Sequence, residues 1–273
     1  MSKIFNDLEL FILDLDGVVY EGSILIPGAL DFLNKLREQN KIIFALTNNS
    51  TLTREKYYEK LKKFNLNIPI ENIITSGYAT AEYLSQINKN SATAFVIGEI
   101  GLMEELHKVN INPVNMLNNY DKLPEKVDYV VVGLDRNFNY EKLAKALTYL
   151  LRNAKFIATN NDPNLPTERG LLPGAGSMVS ALMTCSGINP EIIIGKPNPF
   201  TINYILKLTK IPSDKAVIIG DRYTTDILAG LNAQIKTIMV LTGAGKIEKD
   251  IALKSDRKPH LIADSIRDLL KLI

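Results

Sequence analysis

Leu8-Glu9-Leu10-Phe11-Ile12-Leu13-Asp14-Leu15-Asp16-Gly17-Val18 decides how this chain is read. A short apolar run ends in two acids spaced two residues apart, and a glycine follows them. A run of this length, closed by a turn signal, reads as a strand buried on both faces. The same pattern recurs along the chain. Ile42-Ile43-Phe44-Ala45-Leu46 ends at Thr47-Asn48-Asn49-Ser50, and Glu191-Ile192-Ile193-Ile194 ends at Gly195-Lys196-Pro197. Ala216-Val217-Ile218-Ile219 ends at Gly220-Asp221, and the run from Ile235 to Leu241 ends at Thr242-Gly243.

Helix-like segments separate these runs. Pro27-Gly28 opens one, with Leu30, Leu33 and Leu36 at helical spacing, and Thr53 is placed to cap another from Arg54 to Asn65. Further strand candidates lie at Ala94 to Ile97, Tyr129 to Val132 and Phe156 to Thr159, with helices over Glu99 to Val109 and Glu141 to Leu151. This middle set either extends one sheet or forms a second small domain. Strands alternating with helices predict an α/β fold with a parallel sheet. There is no internal repeat and no low-complexity linker, so a boundary falls in short hinges, near Ser76-Gly77 and Gly187 to Pro190.

Composition narrows the function classes. The 273 residues are 46% apolar and 23% charged, the balance of a globular protein with room for two domains. Lys and Arg total 32 against 30 Asp and Glu, a net charge of +2, which gives no electrostatic case for nucleic acid or membrane. No apolar run nears the roughly 20 residues that span a bilayer. Met1-Ser2-Lys3-Ile4-Phe5-Asn6-Asp7 lacks a signal-peptide stretch, and the expectation is a cytoplasmic protein. The single Cys185 rules out an internal disulfide and reads as a small packed apolar residue.

In open α/β sheets, ligands bind beyond the carboxyl ends of the strands. Asp14 and Asp16 stand at such an end, and Gly17 permits the sharp turn that lets both converge. Thr47 and Asn48 offer neutral donors suited to phosphate oxygens, Lys196 a positive charge, and Asp221 and Asp226 two more carboxylates on a loop entering a helix. Each has a plainer reading: Asp-Gly marks turns, Thr47 and Asp221 cap helices, and lysines are usually solvated. Together, all at strand ends, they argue for one site.

Four segments resemble the motifs of the haloacid dehalogenase superfamily: Asp14-Leu15-Asp16-Gly17-Val18, Thr47, Lys196, and Gly220-Asp221-Arg222-Tyr223-Thr224-Thr225-Asp226. About 147 residues part Asn48 from Lys196, as in members with a large cap inserted between the second and third motifs. Thr47-Asn48-Asn49-Ser50, Pro173-Gly174-Ala175-Gly176-Ser177 and Gly195-Lys196-Pro197-Asn198-Pro199 resemble subfamily IIA, which holds the NagD-like, p-nitrophenyl and phosphoglycolate phosphatases. The resemblance implies a Rossmann-like three-layer parallel-sheet core, residues 1–77 and 190–273, with an inserted α/β cap domain of C2 type, residues 78–189. It implies a Mg²⁺-dependent phosphomonoester hydrolase for a small phosphorylated metabolite. Asp14 would be the nucleophile and Asp16 the general acid and base. Thr47, Asn48 and Lys196 would hold the phosphate. Asp14, the Asp16 carbonyl and Asp221 would hold Mg²⁺, with Asp226 behind them orienting Lys196 or a metal-bound water.

By the same resemblance, Asn160, Asn161 and Asp162 in Ala158 to Pro166 form a cap loop that chooses the substrate, although Asn, Asp and Pro also make ordinary turns. Gly174-Ala175-Gly176 lacks the Lys-Ser/Thr of a P-loop and reads as a hinge where the cap returns to the core. His107 and His260 match no motif and read as surface residues. A homodimer through the cap is a further expectation. The alternatives are a phosphotransferase, or a phosphometabolite-binding protein without turnover.

Overall fold

The computed structural model describes residues 5, 7–88, 90–116, 123–167 and 170–273. Residues 1–4 and 6, on which the reading of the amino terminus rested, lie outside the described residues. The elements begin with β1 (Leu10–Leu13), β2 (Tyr20–Glu21), β3 (Ile24–Leu25), α1 (Ala29–Glu38), β4 (Ile42–Thr47), α2 (Arg54–Lys63) and β5 (Ile73–Thr75). There follow α3 (Ser76–Ile87), β6 (Ala92–Ile97), α4 (Ile100–Lys108), β7 (Ile111–Pro113), β8 (Tyr129–Val132), α5 (Tyr140–Leu151) and β9 (Lys155–Ala158). The pair β10 (Asn164–Thr167) and β11 (Gly170–Pro173), α6 (Ala175–Ser186), β12 (Ile192–Ile193) and α7 (Phe200–Thr209) come next. The chain ends with β13 (Ala216–Gly220), α8 (Leu228–Asn232), β14 (Lys236–Val240), α9 (Gly245–Lys254), β15 (Leu261–Ala263) and α10 (Ile266–Leu269). Among the described residues, no helix is long and apolar enough to cross a membrane.

The described residues divide into two compact units. The first takes in Met1–Thr47, Tyr57–Ile74 and Lys196–Ile273; the second takes in Asn48–Lys56 and Thr75–Gly195. In the first, the strand order is β15-β14-β13-β1-β4-β5. β1 lies between two parallel neighbours, with Leu10 to Leu13 in register with Ala216 to Ile219 on one side and Ile42 to Ala45 on the other. All four β1 side chains are fully buried, as the unbroken apolar run requires. α1 lays Ala29, Phe32, Leu33 and Leu36 against the core, and the Phe32 ring meets Phe11 edge-on at 6.4 Å.

The second unit has its own parallel sheet, in the order β12-β9-β8-β6-β7. Its core joins Phe95, Val130, Val132 and Phe156 of the strands to Ala146, Tyr149 and Leu150 of α5 and Val179 and Leu182 of α6. Here three expectations are corrected. The run from Glu191 to Ile194 yields only the two-residue β12, half-buried at the edge of this second sheet beside β9. Gly174-Ala175-Gly176 is no hinge. A Cβ at Gly174 or Gly176 would collide with the backbone carbonyls of Asp162 or Asn161, so these glycines press the start of α6 onto that loop. Cys185 is exposed, because it sits in the last turn of α6 past the packed residues Met178, Val179 and Leu182. Both histidines are exposed, as expected.

Candidate active site

In the first unit, parallel strands deliver their polar residues to one end of the sheet. Asp14 follows β1 directly, and its amide extends the ladder by donating to the Ile219 carbonyl at 2.9 Å. Thr47 ends β4, and Asp221 follows β13. Lys196 is 3% exposed. Its Nζ donates to Asp14 Oδ1 at 2.5 Å and to the Leu46 carbonyl at 3.3 Å, and pairs with Asp226 Oδ1 at 2.5 Å.

Asp226 reaches this position because Tyr223–Ile227 forms one turn of π-helix after β13, a wider turn often found at functional sites. Its Oδ2 accepts the Arg222 amide at 3.0 Å. Gly220 makes room: a Cβ there would overlap the Asp226 side chain.

Two buried carboxylates therefore hold one ammonium, and buried Asp221 brings a third carboxylate within 4.8 Å of those two. Burial pushes the Asp14 carboxyl well above the usual range; Lys196 pulls it back, while Asp226 and Asp221 push it further up. Burial, then Asp226, raises Asp221 to about 7, against the Ala244 amide that donates to its Oδ2 at 2.7 Å. Burial disfavours the Lys196 charge, yet Asp14 and Asp226 hold it above the ordinary lysine value.

Asp16 lies in the turn that Gly17 makes at φ +85. Its Oδ2 accepts the Tyr20 hydroxyl at 3.5 Å, a long bond. Burial raises the Asp16 carboxyl, against the charges of Lys60 and Lys196 and the Tyr20 hydroxyl. The Lys60 ammonium stands 3.9 Å over the Tyr20 ring, whose other neighbour is Phe64, stacked at 5.5 Å. Tyr57, one turn before Lys60 on α2, is hydrogen-bonded to the Thr47 side chain. Sequence reading missed Tyr20, Tyr57 and Lys60. The three-residue spacing of Tyr57 and Lys60 puts them on one helix face, and that spacing was the available signal.

The donor set suits a small hard cation. Asp14, Asp221 and Asp226 each offer an oxygen within 4.8 Å of the others. Both Asp226 oxygens are already engaged, by Lys196 and by the Arg222 amide, so Asp14 and Asp221 are the carboxylates that could hold a cation. A Cβ at Gly17 or Gly243 would collide with Asp221 Oδ2, so both glycines keep space beside that carboxylate. A second positive charge also answers the surplus of acid, and Mg²⁺ favours such oxygen ligands.

Asn48 and the loop of Asn160, Asn161 and Asp162 belong to the second unit. Asn48 Nδ2 donates to Asp162 Oδ1 at 3.0 Å, and the Asn48 carbonyl accepts Asn160 Nδ2 at 2.8 Å. Asn160 is buried and its Oδ1 accepts the Asp162 amide at 3.1 Å, whereas Asn161 is exposed. Asn160 and Asp162 thus fasten the loop to Asn48, and Asn161 is the side chain turned outward.

A haloacid dehalogenase-like hydrolase model matches residues 11–112, and a HAD-hydrolase-like model matches residues 193–269. An acid sugar phosphatase of Staphylococcus haemolyticus is 38% identical over 88% of this chain and 87% of its own. The 4-nitrophenylphosphatase of Thermotoga maritima superposes with a TM-score of 0.88 at 33% identity, covering 98% of each chain. The glycerol phosphate phosphatase of Mycobacterium tuberculosis, solved with magnesium, gives 0.85 at 30% identity, over 97% of this chain and 77% of that one.

Proposed function

This chain belongs to the haloacid dehalogenase-like hydrolases and is a phosphatase, and from that premise we propose that it hydrolyses phosphomonoesters of small metabolites through Asp14. The observation that carries the reading is the buried Lys196 held at 2.5 Å from both Asp14 and Asp226. An ammonium so placed neutralises charge on a bound phosphate while it aligns the carboxylate that attacks.

Asp14 attacks phosphorus and the ester bond breaks, which leaves an aspartyl-phosphate. The leaving oxygen takes its proton from Asp16, whose carboxyl is raised by burial and so retains a proton more readily than an ordinary aspartate. Asp16, now a carboxylate, takes a proton from the water that attacks the phosphoryl group, and Asp14 is released. Thr47 and Lys196 hold phosphate oxygens, and Asp226 keeps Lys196 aligned. Asp14, the Asp16 carbonyl and Asp221 are the residues that would hold Mg²⁺, which when bound offsets the charge of the phosphate dianion.

The substrate class follows from the relatives, which act on sugar phosphate, nitrophenyl phosphate and glycerol phosphate. A small phosphomonoester with a hydroxylated or aromatic leaving group is the common chemistry. The test is phosphate release from a panel of phosphomonoesters with Mg²⁺ and with EDTA. Release that needs Mg²⁺ and is lost in folded Asp14→Asn supports the reading. Phosphate that appears on an added alcohol rather than in solution would point to a phosphotransferase. Binding without any release would point to a carrier.

A further inference from the structure

The second unit contains a cavity of about 700 Å³ that the chemistry at Asp14 does not use. Its position follows from topology. β6 leads through α4 to β7 on one side, while β8 lies on the other side of β6 and leads through α5 to β9. The strand order therefore reverses between β6 and β8. In open parallel sheets the crevice at such a reversal, beyond the carboxyl ends of the strands, is where ligands bind. Glu99 follows β6, Asp135 and Arg136 follow β8, and all three line the cavity.

The lining is short of free acceptors and rich in donors. Glu99 Oε1 and Oε2 take the Arg136 Nε and Nη2, each at 2.6 Å. Asp135 Oδ1 accepts the Asn137 amide at 2.9 Å, and its Oδ2 takes the Lys142 Nζ at 2.6 Å. All four carboxylate oxygens are thus engaged within the protein. A guanidinium carries five N–H groups, so Arg136, whose side chain is 65% exposed, keeps donors to offer. Two acids and two bases cancel, and the amino end of α4 adds a positive field. Ile100, Met103 and Met116 add apolar surface to the lining, with Ile100 44% exposed. The cavity volume falls in the range of metabolite sites, roughly 300–1,000 Å³.

We propose that this cavity binds a small phosphorylated metabolite, its phosphate on the Arg136 fork and its body against Met103 and Met116. An arginine fork matches phosphate geometry, and thioether side chains adapt to varied apolar bodies. The site is built from the second unit alone and does not depend on the Asp14 reading.

The chain has six methionines, so methyl-¹³C methionine NMR reports on the cavity directly. Full-length Asp14→Asn protein with Mg²⁺ would be titrated with AMP, orthophosphate and, as the uncharged control, adenosine. The expected result is saturable movement of the Met103 and Met116 methyls with AMP and with orthophosphate, and much weaker movement with adenosine. Arg136→Gln should weaken AMP binding about ten-fold or more, while the Met239 methyl in the first-unit sheet stays in place as the fold control. Glu99→Gln should tighten it several-fold, because the guanidinium loses its internal partner. Should Arg136→Gln misfold, Glu99→Gln decides alone. The proposal fails if AMP leaves both methyls unmoved, if adenosine moves them as strongly as AMP, or if Glu99→Gln leaves the affinity unchanged.

Discussion

Among the described residues two lysines are buried, one in each unit, and they do different things. Lys142 faces one acid, Asp135, at 2.6 Å, with both side chains nearly inaccessible. Charge is balanced one to one, the second Asp135 oxygen is taken by a backbone amide, and the pair closes on itself. Lys196 instead faces Asp14 and Asp226, with Asp221 close behind. That cluster holds more acid than base, and its strain shows in the raised Asp14 and Asp221 carboxyls. A balanced buried pair is mainly a matter of structure. An unbalanced one, with acid in excess, favours a further positive charge beside it.

The sharpest way to test the contrast is to remove each lysine. Lys196→Met should abolish phosphate release and also destabilise the metal-free protein, by about 3–5 kcal/mol as for other broken buried pairs; urea unfolding and an activity assay read both. Lys142→Met should cost a similar stability, about 3 kcal/mol, yet leave phosphate release per folded molecule unchanged. Adding Asp135→Asn to Lys142→Met should recover most of that loss. A Lys142→Met protein that is stable but inactive would erase the distinction between the two lysines.

Smaller effects sharpen it. Asp226→Asn keeps the shape but weakens the hold on Lys196, and should lower phosphate release about 10–100-fold. The mildest expectation concerns pH. Asp221 is raised to about 7 in the folded protein, against about 3.9 unfolded. Between these values the native state holds a proton that the unfolded state has lost, so this group progressively destabilises the metal-free fold as pH rises from about 3.9 to about 7, with no further loss above that. Asp221→Asn should therefore melt above the metal-free wild type at pH 8, with the gap closing as the pH falls below 7. An equal gap at both ends would mean that Asp221 is not the titrating group.

The strand-end residues were legible because a buried parallel strand writes itself as a continuous apolar run, and whatever follows it must stand at the sheet's edge. Asp14, Thr47 and Asp221 stand at such ends, of β1, β4 and β13. Asp226 was legible by spacing, but its clasp on Lys196 depends on a π-turn and on Gly220, which no periodicity announces. Tyr20, Tyr57 and Lys60 were hidden because an aromatic or a lysine on a helix reads as core or solvent until tertiary packing brings them to Asp16. The run from Glu191 to Ile194 misled for the opposite reason. Three isoleucines suggest a central strand, yet the neighbour available was the edge of β9 in the other sheet. Asn160 and Asp162 read as substrate contacts by resemblance, and their fastening to Asn48 is a long-range arrangement that the local sequence does not encode.

The central claim is that Asp14 becomes covalently phosphorylated during turnover. The most direct measurement mixes enzyme and Mg²⁺ with a substrate carrying a radiolabelled phosphoryl group, quenches in acid within a turnover, and maps the label by peptide digestion. Label should appear on the peptide that carries Asp14, and none in Asp14→Asn. Phosphate release that continues in Asp14→Asn, or full turnover with no protein-bound label at any quench time, would contradict that claim.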